Sequence, residues 1–202
     1  SILGGSNNEL LNTSNQTAQA SAIVAGANNN VSGYAYYSLI GAGQNNVIGY
    51  DADRAAIVAG NANLIGINSD QAIIGAGRNN VIGENSPSSG ILAGDNNGIE
   101  DSSAASLIGG GFQNHIGSFN FAGDYNFIGG GRSNYITGSA MGMTLSGGAS
   151  NWVTHSAAFG TLAGGFGNEI TAEGIPTLVG SSIGGGVNNT AIGSYATIAG
   201  GL

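Results

Sequence analysis

The residue with the most regular spacing in this chain is asparagine. Asn8, Asn29, Asn46, Asn63, Asn80, Asn97, Asn114, Asn134, Asn151, Asn168 and Asn189 each follow a Gly by three positions and precede an apolar residue by two. A column of carboxamides could offer a ligand both donors and acceptors. An inward amide at a turn must instead find partners, because burying one unbonded costs roughly 2–7 kcal/mol. The column is therefore expected to be a structural ladder, each amide bonding its neighbours and the turn backbone. Other carriers of chemistry are scattered. His115 and His155 share neither column nor repeat, which argues against a metal site or a triad base. Arg54, Arg78 and Arg132 fall in three different repeats, unlike the groove of a solenoid glycosidase or lyase. Asp recurs at no fixed position, as a calcium-binding roll would require. Gly-x-Gly runs such as Gly109–Gly111 belong to the repeat and carry no phosphate-loop signal. The reading is a chain with no catalytic residues, no metal and no cofactor.

Hydroxyls and sequons are the remaining chemistry. Thr137, Thr154 and Thr171 form one short outward file, and Thr144, Thr161, Ser182 and Thr197 another. Ice binding needs a flat, regular hydroxyl and methyl array, and these files cover only the last third of the repeats. Asn12 and Asn15 open two adjacent glycosylation sequons, and Asn188 opens a third. In an Asn-rich chain such matches also arise by chance.

The elements that place these residues come from one phrase: an aliphatic residue, any residue, Ala or Gly, a Gly, two variable positions, Asn, any residue, an aliphatic. It returns every 17 residues from Ala22 to Ile116, the mark of a solenoid whose neighbouring coils bury each other's apolar groups. Three residues before the Gly stands Ile in most coils, or Leu145 and Leu162. Alternation of inward and outward positions says strand rather than helix. The expected fold is an all-β, parallel β-solenoid, a flat two-stranded β-roll of about eleven coils plus a final strand, forming a single domain over residues 1–202. At about 4.8 Å per coil it is a rod of roughly 50 Å. The Gly is expected at positive φ, where Gly-x-x-Asn turns the chain. The period lengthens three times, near residues 11–20, 117–125 and 171–180, always in the second turn, which also holds both prolines and most acidic residues. That edge reads as tolerant of change.

Composition bounds the partners. Gly accounts for 39 of 202 residues, Cys and Lys are absent, 7% of residues are charged and the net charge is −8. An ordinary globular chain is about 25% charged. Acidity of this degree excludes a nucleic-acid partner, and no apolar run reaches the roughly 20 residues of a membrane span, so direct membrane insertion is not expected. The outward face of the first strand is the unusual surface. Val24, Leu39, Val58, Ile73, Leu92, Leu107 and Phe127 make it an apolar stripe, larger than a monomer usually exposes, and mark it as an assembly face. The chain starts at Ser1, as a mature product or an excised piece would. Ile2 and Leu3 at one end, and Ile198 and Leu202 at the other, lie on strands with no cap, so an end-to-end joint with neighbouring copies is a second expected contact.

Coils such as Ile128–Ala140, of the form Ile-Gly-Gly-Gly-x-x-Asn-x-Ile-x-Gly followed by Ser and Ala, resemble the head repeats of YadA-like trimeric autotransporter adhesins over nearly the whole chain. The resemblance implies a left-handed β-roll, a homotrimer with one face against the three-fold axis, and attachment to host or matrix surfaces. A weaker resemblance, to the Asn-x-Val-x-Gly repeats of grass ice-binding proteins, rests on Asn29–Gly33 and Asn134–Gly138. The expectation is a non-enzymatic, extracellular or cell-surface, self-associating solenoid, either a homotrimer or a head-to-tail filament. The alternatives are the receptor-binding head of a trimeric adhesin or phage tail fibre, and an ice-binding protein.

Overall fold

In a computed structural model that describes residues 1–11, 20–117, 123–154, 157–171 and 178–202, the chain is an all-β parallel solenoid with no helix among those residues. Two parallel sheets of 11 strands each run the length of the rod. Sheet I collects the first strand of each coil, from Ala22–Ile23 through Leu39–Ile40 to Thr197–Ile198, and sheet II the second, from Glu9–Leu10 through Val47–Ile48 to Thr190–Ile192. Each strand pairs with its equivalent in the next coil. The lengthened repeats keep this register, with His115 opposite Tyr135 and Glu169 opposite Thr190, so the additional residues are absorbed outside the ladders.

One coil, Ser38 to Arg54, shows why this sequence closes. Ser38, Ile40, Asn46, Ile48 and Ala52 point inward and are buried. The Ile column of sheet I and the aliphatic column of sheet II meet as a single apolar layer. Strand N–H groups donate forward, Leu39 N to Ala55 O and Val47 N to Asn63 O, both at 2.9 Å. At the corners some N–H groups point the other way and find carbonyls of the preceding coil. A residue in the left-handed region achieves this: Asn45 (φ 57°) donates back to Ala27 O and Arg54 (φ 56°) back to Tyr36 O. Gly43 (φ 111°) is required twice over, because a Cβ there would also lie 2.0 Å from Gly60 O in the next coil.

Two features depart from the sequence reading. Each coil has more corners than a Gly-x-x-Asn turn and a free second turn, since Asp51 and Arg54 also take positive φ. The second turn is also built rather than tolerant. Ala35, Ala52, Ser69, Ser86 and Ser103 form a fully buried column within it, and its Asp residues cap backbone: Asp53 Oδ1 accepts from Tyr36 N at 2.7 Å, Asp70 Oδ1 from Asp53 N at 2.9 Å and Asp124 Oδ1 from Ala104 N at 2.9 Å. Pro87, in the same column, brings no N–H that needs such a cap. A further short sheet pairs Ala157–Ala158 with Leu178–Val179.

Candidate functional site

The asparagines form one continuous inward ladder. Asn80 is representative: Nδ2 lies 3.2 Å from Asn63 Oδ1, 3.2 Å from Ala76 O and 2.9 Å from Gly94 O, while Oδ1 accepts from both N and Nδ2 of Asn97 at 3.1 Å. Asn29 to Asn168 are buried, and Asn8 and Asn189 at the two ends are half-buried. From Asn8 to Asn168 each amide donates and accepts within the rod, so the buried ladder offers nothing to a ligand. The residue before each ladder Asn sits at a left-handed corner. That explains why Asn is so often doubled, as at Asn45-Asn46 and Asn79-Asn80: the first tolerates positive φ and the second turns inward.

Serine ladders were not anticipated. Ser38 N donates to Ser21 Oγ at 3.0 Å and Ala55 N to Ser38 Oγ at 3.1 Å; Ser86 N donates to Ser69 Oγ and Ser103 N to Ser86 Oγ, each at 3.1 Å. The 17-residue recurrence of Ser at these positions was a usable signal. In one file Asn126 and then Met143 replace Ser, and Gly160 N meets Met143 Sδ at 3.1 Å.

Two outward surfaces remain. On sheet I, Val24, Leu39, Val58, Ile73, Leu92 and Phe127 are exposed and Leu107 is half-buried. They do not form one plain stripe. Two adjacent columns alternate in size: Ala22, Leu39, Ala56, Ile73, Gly90 and Leu107 in one, Val24, Gly41, Val58, Gly75, Leu92 and Gly109 in the other. Each of these six coils therefore carries one large and one small residue, with the large one changing columns from coil to coil; Phe127/Gly129 repeats the order of Leu107/Gly109, and the later pairs are small or polar. The small positions bring little or no side chain, and at Gly90 the Leu107 and Ile73 side chains lean over the gap. A Cβ on Gly41 or Gly75 would meet a carbonyl oxygen of the next coil at 2.4 or 2.3 Å.

On sheet II the outward file reads Val47, Leu64, Val81, Gly98, His115, Tyr135, Trp152. The rings of His115 and Tyr135 stack at 5.5 Å and those of Tyr135 and Trp152 at 4.3 Å. Gly98 brings no side chain to this file, and the His115 ring leans over it, with Nδ1 2.8 Å from where a Cβ would stand. A depression of about 460 Å³ beside it is lined by Asn79, Val81, Asn96, Glu100, Gln113 and His115. His115 Nδ1 lies 3.3 Å from Glu100 Oε1, both side chains being partly covered.

The other sequence-predicted groups disperse. Arg78 pairs with Asp95 on the exposed surface, and Arg132 lies over the Phe112 ring at 5.8 Å. No group of three or more potential metal ligands converges among the described residues. Thr171, expected outward, is buried at 4% exposure, and its hydroxyl lies 2.9 Å from that of Thr154, so that file is no free hydroxyl array. Asn188 is exposed at a corner; Asn12, Asn15 and His155 lie outside the described residues. Ile2, Leu3 and Leu202 are exposed and Ile198 is half-buried. Compared with known proteins, the chain matches no family model and no curated protein.

Proposed function

We propose that this chain is a non-catalytic structural rod of an extracellular or cell-surface assembly, and that it associates with copies of itself through the outward face of sheet I. The observation that carries the reading is the size alternation of that face. In a cyclic oligomer with parallel rods, the left column of one copy packs against the right column of the next at the same height. Because each of the six coils from Ala22 to Gly109 holds one large and one small residue, every such meeting there sets large against small, Leu39 against Gly41 and Val58 against Ala56. The summed volume stays nearly constant over those coils, which is what interior-density packing needs. A heterologous contact of this kind closes into a ring, and a homotrimer with this face on its axis is the assembly proposed, in keeping with the resemblance to trimeric adhesin heads. Removal of that much aliphatic surface from water, at about 25 cal/mol per Å², would drive the association.

Sedimentation velocity on the purified chain tests this. The wild type is expected to sediment as a discrete oligomer with a mass of three chains, and the triple variant Leu39→Asp, Ile73→Asp, Leu92→Asp as a monomer with unchanged far-ultraviolet circular dichroism. A wild type that stays monomeric up to about 100 μM, where even a contact of modest affinity would be populated, defeats the proposal. A ladder of indefinite head-to-tail species unaffected by the triple variant would replace it with the filament reading.

A further inference from the structure

We propose that the corner file Tyr125, Phe159, Tyr195 is a docking track for a neutral, extended β-1,4-linked glucan. The file occupies the corner that leads into sheet I. Backbone pairing sets five successive coils in one column there: Gly142 N donates to Asp124 O, Phe159 N to Met141 O, Gly180 N to Ala158 O and Tyr195 N to Val179 O. Aromatic residues therefore alternate with Gly from coil to coil, at unequal intervals along the chain. Corner building does not ask for these rings. All three stand in the left-handed region, at φ 58°, 53° and 58°, where a bulky side chain is unfavourable, and Gln71, Ser88 and Ala105 hold the same corner in earlier coils. The rings do not fill the core either, being 66%, 63% and 76% exposed. Gly in the alternate coils gives a ring somewhere to rest. Phe159 Cδ1 and Cε1 lie 2.9 and 3.1 Å from where a Gly142 Cβ would stand, and Tyr195 Cδ1 and Cε1 lie 3.1 and 3.2 Å from the corresponding point at Gly180. One edge of each of these two rings is set against backbone, and the remainder is open to solvent.

The spacing names the ligand. Rings two coils apart are separated by about 9.6 Å along the rod, and the whole file covers about 19 Å. In an extended β-1,4-linked glucan every second residue presents the same face, at an interval close to two strand spacings, and that face carries axial C–H groups that stack on the electron-rich face of an aromatic ring. Coiled α-1,4- and β-1,3-linked glucans lack this repeat. The flanks are neutral. Thr161 and Thr197 stand exposed on the sheet I side, with hydroxyls that donate and accept as a glucan's own do, where an aminosugar polymer would bring acyl methyls. Met141 and Val179 stand on the other side, and Asp124, in the same column, is committed to capping Ala104 N. No Arg lies in the file or in these flanks to hold an acidic glycan.

Depletion of the full chain from solution by microcrystalline cellulose tests the proposal, with Kd read from the adsorption isotherm. The wild type is expected to adsorb with a Kd in the micromolar range. Phe159→Ala removes the central ring and is expected to weaken adsorption by about tenfold, and the double variant Tyr125→Ala, Tyr195→Ala by more. Ala105 already occupies this corner at φ 52°, so the thermal midpoints should stay close to that of the wild type. Tyr37→Ala is the control. Tyr37 is an exposed tyrosine at the same corner, but Arg54 rather than Gly follows it in the next coil, and its loss should leave adsorption unchanged. Absence of adsorption by the wild type overturns the proposal, as does undiminished adsorption in both ring variants. Equal adsorption to starch, to a β-1,3-glucan or to chitin overturns it as well, because the repeat and the hydroxyl flank would then not be what is recognised. The rings lie outside the two columns of sheet I proposed for self-association, so Phe159→Ala should sediment as the wild type does, whichever state that is. Loss of adsorption that tracks a change in sedimenting mass would assign the rings to association instead.

Discussion

Removing one rung of the asparagine ladder should cost far more than its small volume suggests. In Asn80→Ala, the Asn97 N–H loses its acceptor, Asn80 Oδ1, in a position without access to water. An unsatisfied buried donor costs about 1–3 kcal/mol. The Nδ2 bonds to Ala76 O and Gly94 O are also lost, though Gly94 O keeps the bond it accepts from Arg78 N and Asn63 Oδ1 keeps that from Asn80 N. At a net 0.5–1.5 kcal/mol each, these add roughly 1–3. The sum is about 2–6 kcal/mol, or a thermal midpoint lowered by roughly 4–24 °C for a chain of this size. The neighbouring Asn79→Ala is the control. Asn79 is an exposed left-handed corner, and Ala62 already occupies the equivalent position in the preceding coil, so a loss of about 1 kcal/mol or less is expected. Both variants would be followed by urea unfolding and differential scanning calorimetry. A midpoint for Asn80→Ala no lower than that for Asn79→Ala would refute the argument that the ladder carries the corner.

Other positions give sharper signs. Gly77→Ala places a Cβ 2.0 Å from Gly94 O at φ 106°; neither strain can relax without parting the coils, so loss of more than about 4 kcal/mol and poor soluble yield are expected. Ser103→Ala should fall within about 0.5 kcal/mol of the wild type, because Ser103 Oγ is buried without a hydrogen-bond partner among the described residues, whereas Ser86→Ala strips the acceptor from Ser103 N and should cost about 1–3 kcal/mol; matched urea midpoints would show whether the hydroxyls differ. Burial raises the Tyr36 phenol above its ordinary value, with Tyr34, Asp53 and Asp51 adding to the shift. A neutral phenol is thus favoured in the fold, so its contribution is complete below pH 10 and is lost as pH rises through the raised pKa. Unfolding midpoints measured on either side of that range should fall less on alkalinisation in Tyr36→Phe than in the wild type.

Much of the architecture was written in the one-dimensional pattern. A 17-residue return of Ile, Gly and Asn specifies strands, corners and an inward ladder because each coil repeats the same contacts with the next, so period and local structure carry the same information. The Gly corner and the buried Ser38, Ala55 and Ala72 could be assigned from spacing alone. The second turn could not. Its residues vary, and what unites Ala52, Ser69 and Ser86 is only that they are small enough to sit inside, while Asp53 and Asp70 cap donors that exist only once the coils are stacked.

The outward faces separate the two kinds of information most clearly. The sequence by itself determined which residues face out and that the face of sheet I is apolar, because side-chain direction follows from strand alternation. Stacking decided what those faces are. Residues 17 positions apart become direct neighbours, so Ala56 lies between the larger Leu39 and Ile73, His115 leans over Gly98, and Thr171 meets Thr154. Surface shape is a property of neighbours across coils, and only the folded chain brings those neighbours together.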